Sequence, residues 1–272
     1  MKKIVIVVFV LTSIWSCKQD SKTSPAEDKT EEVKENINLA VNASGFPEGL
    51  QKIFDKHGGL DNWKSFNGMY FEIERPDYME KYTVNLKERK SVIQYKDHML
   101  GYDGENVWVK DLGTEEFKSN PRFLYNLMYY FYCMPFIIAD DGIKYAEGPP
   151  LKYGDVEYPG ISISYNRGVG ESPDDEFILF YNPTTYQMEW LAYTVTFFSK
   201  EKTKQYSLIK YHAWTDVNGL QLPSLLQWHQ FAQGVVGDQI NDMYFVKCNL
   251  SEDMPDDQLF EVVEGATIAP KE

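Results

Sequence analysis

The sequence has 272 residues, and its 41 Asp and Glu side chains outnumber its 27 Lys and Arg side chains, which gives a formal charge of −14 at pH 7. A chain of this length can form one ordinary domain with further segments, and it buries enough surface to need no disulfide scaffold or structural metal. The negative charge argues against a nucleic-acid partner, because non-specific binding to a polyphosphate depends on basic side chains that displace counterions.

The N-terminus has the pattern of a secretory signal. Two lysines follow Met1, and residues 4–15 are nearly all apolar. A helix of this length covers about 18 Å, which is shorter than the ~30 Å hydrocarbon core of a bilayer. We therefore predict a signal peptide over residues 1–16 and not a permanent transmembrane helix.

The apolar run ends at Ile14-Trp15-Ser16-Cys17, which resembles the lipobox of bacterial lipoprotein precursors. The resemblance implies that the Cys17 thiol receives a diacylglyceryl group and that cleavage before Cys17 makes it the acylated N-terminus. Two or three acyl chains, such as palmitate, hold a protein stably on a membrane. An ordinary secretory signal with an incidental cysteine is the alternative.

Cleavage would also remove Lys2 and Lys3 and leave a mature charge of −16. Anionic headgroups repel such a chain, so we expect the lipid to hold it at the membrane. Residues 17–45 then contain the lipidated cysteine and a flexible tether, since residues 18–45 include no aromatic residue. We expect a protein of the cell envelope, anchored to the outer membrane on its periplasmic or surface side.

Residues 46–272 are predicted to form a single β-rich domain. It begins with a helix of about ten residues, because apolar residues and His57 recur at helical spacing before Gly58-Gly59. Asp61 is expected to cap a second short turn that carries Trp63 toward the core.

From Met69 onward, apolar residues alternate with polar ones. Nine or ten such runs, separated by turn signals such as Asp103-Gly104 and Asn218-Gly219, predict nine or ten antiparallel strands in a meander. Because twist accumulates from strand to strand, a sheet of this size is expected to curl. The fold class is thus mainly β, with a curled antiparallel sheet that forms an incomplete barrel.

An aromatic segment at residues 121–138 interrupts the strands, and Arg122 is its only charged residue. Pro121 suits a first helical turn and Pro135 a stop, so a helix of about three turns is predicted. Its apolar residues cover the whole circumference, which requires burial on most sides. We expect this segment, called the lid below, to lie in the mouth of the curled sheet.

Several short motifs together resemble envelope proteins of the LolA/LolB-like superfamily, and in particular a group of bacterial lipoproteins assigned to it. They are the lipobox, His57-Gly58-Gly59, Asp103-Gly104 before Val107-Trp108-Val109, the aromatic segment, and Asn218-Gly219-Leu220-Gln221-Leu222-Pro223. The resemblance covers about residues 50–260. It implies an incomplete antiparallel barrel with a helical lid, whose apolar interior can hold acyl chains.

The sequence contains no nucleophile elbow, metalloprotease motif, phosphate-binding loop or Cys-x-x-Cys motif. We therefore expect no enzyme, cofactor or metal. A hydrolase that uses His212 or His229 is the weakest alternative, and metal binding by these two residues is a minority interpretation. Cys133 and Cys248 are interpreted as free thiols, although an oxidising envelope permits a disulfide.

The candidate binding residues are aromatic side chains on the strands and the lid. They are Trp108, Phe123, Tyr129, Phe131, Tyr132, Phe136, Trp190, Trp214 and Trp228. Such an excess of apolar groups at a barrel mouth favours a concave site for an acyl chain, a lipid or a lipoprotein. The alternative is a structural or interaction lipoprotein whose barrel is filled by its own side chains and whose partner is another envelope protein.

Overall fold

The structure is a computed structural model that describes residues 45–166 and 171–271. These residues all belong to one compact unit with its own hydrophobic core. The signal peptide, Cys17 and tether residues 18–44 predicted above lie outside the described residues. In the part of the chain that is described, no helix combines the length and the apolar composition needed to cross a membrane.

Two short helices open the domain, α1 (Glu48–Lys56) and α2 (Leu60–Ser65). The first matches the predicted helix and ends before Gly58, where φ is +108° and an added Cβ would lie 2.2 Å from the carbonyl oxygen of Gly219. The predicted cap at Asp61 is wrong, because α2 begins at Leu60 and its N-cap is Gly59, two residues before Asp61. Asp61 instead lies in the first helical turn, where its negative charge interacts favourably with the positive end of the helix dipole.

Thirteen strands of the described chain form one antiparallel sheet. They are β1 (Gly68–Glu74), β2 (Met79–Asn85), β3 (Ser91–Gln94), β4 (His98–Tyr102), β5 (Val107–Asp111), β6 (Ile143–Tyr153), β7 (Val156–Tyr165), β8 (Phe177–Tyr181), β9 (Met188–Tyr193), β10 (Ser207–Val217), β11 (Leu220–Ala232), β12 (Val235–Ser251) and β13 (Thr267–Ile268). Their order is β13-β5-β4-β3-β2-β1-β12-β11-β10-β9-β8-β7-β6.

The order confirms a mainly β fold with an antiparallel sheet that does not close, because β13 and β6 lie at opposite edges. Neighbouring strands are consecutive in the chain except where β12 returns beside β1 and where β13 adds to β5. Phe71 of β1 pairs with Cys248 of β12, for example. The lid connects β5 to β6, and so links the two halves of the sheet.

The predicted number of nine or ten strands is too low for three local reasons. A single alternating run divides into β3 and β4 at a turn around Lys96, and β13 has only two residues. The third reason is β6, which was not predicted because Pro149-Pro150 is untypical of a strand. Proline lacks an N–H donor and is tolerated at an edge, and the β6–β7 register shifts between Gly148 and Leu151.

The lid consists of α3 (Pro121–Leu124), α4 (Leu127–Tyr132) and a 3-10 turn (Phe136–Ala139), and not of the one continuous helix predicted. The Asn120 side chain caps α3 by accepting from the backbone N–H of Arg122 at 2.9 Å. Asn126 separates the two α-helices with φ −124° and ψ 0°. Asparagine favours such non-helical conformations because its side chain competes for backbone hydrogen bonds.

The main core joins the lid to one face of the sheet. Strand alternation sends other side chains to the opposite face, where β6 to β10 build a second, smaller cluster. Its members are Leu151, Tyr158, Ile178, Phe180, Trp190, Ala192 and Leu208. Cys133 is buried in the main core, Cys248 packs at its edge, and both thiols are free.

His57, directly after α1, is fully buried, and burial favours its neutral form. Its Nε2 accepts from the Met188 backbone N–H at 3.1 Å, and its Nδ1 lies 3.3 Å from the carbonyl oxygen of Gln221. Burial lowers the pKa of His57 to about 4 from the ordinary 6.5, an effect that the Gln221 contact only partly opposes. The side chain thus connects α1 to β9 and β11 as an uncharged group.

This pKa predicts a loss of stability in mild acid. Between pH 7 and 5.5 the unfolded chain binds a proton at residue 57 that the native state does not, so the free energy of unfolding should fall by about 1 kcal/mol. Urea unfolding at both pH values checks this, with His57→Gln as the comparison because the other histidines remain in place. An equal pH dependence in the two proteins would contradict the assignment to His57.

Candidate ligand-binding site

Two of the nine candidate aromatics lie on the sheet face opposite the lid. Trp108 follows the core residue Val107, so its ring points the other way, and its Nε1 donates to the carbonyl oxygen of Phe260 at 3.1 Å. Trp190 belongs to the second cluster, 5.2 Å from the ring of His229. Neither of these tryptophans meets the lid.

Two further candidates fill the interior beneath the lid. The Tyr132 ring lies between Phe71 and Phe245, with ring centroids 4.5 and 4.4 Å away. The Phe136 ring stacks on Trp63 at 5.1 Å. Both candidates belong to the main core, and Phe136 also lines, with Trp63, a cavity of about 320 Å³.

Two other candidates lie near the edge of this interior. Trp214 packs 4.3 Å from the ring of His57. The Tyr129 hydroxyl accepts a hydrogen bond from Arg89, and Arg89 Nη2 contacts both carboxylate oxygens of Asp140 at 2.7 and 2.6 Å. This ion pair fastens the C-terminal end of the lid to the β2–β3 turn.

The remaining three candidates meet at one pocket. Phe123 and Phe131 of the lid line a cavity of about 90 Å³ on the side of β7, β8 and β9. Trp228 lies behind it, 6.1 Å from the Phe131 ring, and its Nε1 donates to the hydroxyl of Tyr193, a residue of the wall, at 3.0 Å. The structure thus brings together Phe123, Phe131 and Trp228.

The mouth of this pocket has an apolar rim that sequence analysis did not identify. Phe198, in the connection between β9 and β10, is 66% exposed and lies 4.9 Å from the Phe123 ring. Phe197 contacts both rings, and Val195 of the pocket wall is 36% exposed. An exposed apolar rim around a concave site is typical of an interaction site. The consecutive phenylalanines in a turn region were the available signal.

The same pocket contains a buried ion pair that sequence analysis also missed. Arg122 is only 7% exposed, and its Nε donates to Glu171 Oε2 at 3.2 Å while Nη2 contacts the other carboxylate oxygen. Asp175 also lines the pocket and accepts from the Thr196 backbone N–H and hydroxyl at 2.6 and 2.8 Å. Burial raises the pKa of Asp175 despite these hydrogen bonds. A lone charge in an aromatic segment was the only signal for Arg122.

A second cavity, of about 480 Å³, lies on the other side of the lid and is more polar. In its wall Glu80 is 3% exposed and accepts from Arg75 Nη2 at 2.9 Å, from the Tyr82 hydroxyl at 3.1 Å and from the Tyr78 hydroxyl at 3.2 Å. These hydrogen bonds satisfy the carboxylate of Glu80, so the network stabilises the β1–β2 hairpin. Among the described residues, no group of three or more His, Cys, Asp or Glu side chains is placed to hold a metal ion.

Comparisons with known proteins find similarity in structure only. No protein-family model matches the sequence, and a search of curated proteins finds no match. A DUF1329 family protein from Desulfovibrio piger is similar to this chain with a TM-score of 0.46 at 11% identity, over 78% of this chain and 97% of the other. A LolA superfamily protein from Nitrosomonas europaea has a TM-score of 0.45 at 11% identity, with the same coverage.

A domain from Vibrio parahaemolyticus, described as an outer membrane lipoprotein-sorting protein, has a TM-score of 0.37 at 6% identity, over 75% of this chain and 96% of the other. The structural neighbours therefore include proteins of the LolA-like kind that the sequence motifs predict. At this level of similarity they assign no function to the chain.

Proposed function

We propose that this protein is a membrane-anchored envelope lipoprotein that binds a hydrophobic molecule, such as an acyl chain, a lipid or a lipoprotein. The observation that carries the proposal is the pocket between the lid and β7 to β9, with its aromatic wall and its exposed rim at Phe198. Ligand sites are concave, mainly apolar, and contain a few placed polar groups. This pocket meets all three conditions.

The lid must move to admit a long chain. The cavity of about 90 Å³ is smaller than the 300 Å³ or more, roughly, of typical ligand pockets. The lid is divided into short helices, and an Arg–carboxylate pair fastens each of its ends, Arg122–Glu171 at the start and Arg89–Asp140 at the end. In this proposal, opening at the Arg122 end enlarges the pocket and admits the ligand.

The filled interior favours the second candidate, an interaction lipoprotein with no ligand. The rings of Tyr132, Phe71 and Phe245 stack on one another, as do those of Phe136 and Trp63, and they fill part of the interior beneath the lid. Under this interpretation the exposed rim at Phe198 contacts another envelope protein. The two candidates differ in what co-purifies with the chain.

Native mass spectrometry of residues 45–272, followed by organic extraction, distinguishes them. A stoichiometric lipid or acyl species supports the binding function. A ligand-free mass that does not change when lipids and lipopeptides are added contradicts it and favours the interaction lipoprotein.

Phe131→Ala is expected to reduce the amount of retained ligand about tenfold, because it removes an aromatic wall of the pocket. Tyr132→Ala is the matched control, since it removes a neighbouring ring of similar size from the interior and not from the pocket. Ligand is quantified per folded protein at a temperature where both variants remain folded. Equal retention in both variants would argue against this pocket.

Cys17→Ala tests the anchor, which lies outside the described residues. We expect either unprocessed precursor or a form released from the membrane, because the variant has no thiol to acylate. Membrane fractionation with labelled palmitate measures both outcomes. A variant that is still acylated and membrane-bound would remove the basis for the lipobox assignment.

A further inference from the structure

Two polar atoms in the wall of the pocket are buried without a hydrogen-bond partner among the described residues. They are Nη1 of Arg122 and the hydroxyl oxygen of Tyr165. Burial raises the pKa of Tyr165 well above its ordinary value, so the hydroxyl stays protonated and can donate. A buried donor left unpaired costs about 1–3 kcal/mol, and such atoms are uncommon in native proteins. Two such donors in one pocket are available to an acceptor that a ligand supplies.

The charges around the pocket restrict what that acceptor is. Arg122 is already paired with Glu171, and Asp175 adds a further carboxyl group. An anionic ligand would therefore lie near two acidic side chains, and Arg122, the one basic side chain among the described lining residues, is already paired. A neutral acceptor meets no such repulsion.

A carbonyl oxygen fits these conditions better than a hydroxyl group. It has two lone pairs for two donors and brings no donor that would itself need a partner. The apolar lining from Phe123, Phe131 and Phe177 suits a hydrocarbon chain next to it. Both features occur together in an acyl group linked through an ester or an amide.

We propose, on the basis of the proposed function, that this pocket recognises the neutral carbonyl of an ester- or amide-linked acyl chain. Arg122 Nη1 and the Tyr165 hydroxyl are the two donors, and the lid rings contact the chain. The pocket then selects acyl esters and acyl amides against free fatty acids.

Four amphiphiles with the same chain length test this selectivity by isothermal titration calorimetry with residues 45–272 at pH 8. Monolauroylglycerol supplies an ester, N-lauroylethanolamine an amide, and laurate a carboxylate, while dodecylglycerol ether has the chain and the glycerol but no carbonyl. We expect the ester, the amide or both to bind about tenfold more tightly than the ether and laurate. The tighter of the two identifies the linkage.

Tyr165→Phe removes one donor and keeps the ring, so the fold is retained. It should weaken binding of the ester and the amide about fivefold and leave the ether unchanged. Equal affinities for ester, amide and ether, or tightest binding of laurate, would overturn the carbonyl site while leaving a hydrophobic site in place. Failure of all four amphiphiles to bind would instead overturn the proposed function.

Discussion

Tyr132→Ala is expected to lower the free energy of unfolding by about 4 kcal/mol. The ring is buried between Phe71 of β1 and Phe245 of β12, so it joins the lid to the two strands where the sheet returns on itself. Its removal leaves a cavity, and the rings of Phe71 and Phe245 lose their stacking partner. Urea denaturation measured by tryptophan fluorescence gives the change.

Tyr132→Phe is the control, because it keeps the stacked ring and removes only the hydroxyl group. We expect it to cost less than about 1.5 kcal/mol. Comparable losses for the two variants would show that the hydroxyl and not the ring stabilises the lid. The comparison thus tests whether aromatic side chains hold the lid on the open sheet.

Gly101→Ala is expected to destabilise the domain by about 3 kcal/mol. Gly101 pairs with Trp108 across β4 and β5, and an added Cβ would lie 2.1 Å from the nearest ring atom of Trp108. The ring cannot easily move away, because it is fully buried and its Nε1 donates to the carbonyl oxygen of Phe260. The methyl group would force the C-terminal segment off the sheet.

A double-mutant cycle with Trp108→Leu isolates this clash. The smaller side chain makes room for the methyl group, so Gly101→Ala should cost clearly less in the Trp108→Leu background. Thermal or urea unfolding of the four proteins gives the coupling free energy. Additive losses would mean that the Trp108 ring is not the obstacle.

Trp108 lies on the sheet face opposite the lid, and the sequence does not predict this position. From sequence, Trp108 and Trp190 are as suitable for a binding site as Trp228, since all three lie in alternating strands. Alternation shows that neighbouring side chains point to opposite faces, but it does not show which face the lid covers. Only the packing of the lid distinguishes Trp228, which lies next to the pocket, from Trp108 and Trp190 on the opposite face.

The pocket depends in the same way on distant parts of the chain. Arg122 lies in the first helix of the lid, Tyr165 ends β7, and Phe198 lies in the connection after β9. No local pattern relates these residues, because their proximity results from the position of the lid against β7 to β9. The ion pair between Arg122 and Glu171 and the two unpartnered donors could therefore not be predicted.

Much of the fold was predictable from local patterns. The period of two after Met69 reports strands, the spacing before Gly58 reports α1, and the all-round apolar surface of residues 121–138 requires a buried segment. These features depend on which side chains a segment must bury. The antiparallel arrangement followed from the turn signals between alternating runs, and the open, curled sheet followed from the size of sheet that these runs predict.

The sequence by itself determined the strand pattern and the buried aromatic segment, because each depends on the pattern of neighbouring residues, and in the same way it predicts the acylation of Cys17. The tertiary structure decided which aromatic rings belong to the core and which line a pocket, and it placed Arg122 and Tyr165 in the lining of one pocket. These outcomes depend on contacts between segments far apart in the chain. Free energies of packing and desolvation act on such contacts, and no local pattern records them.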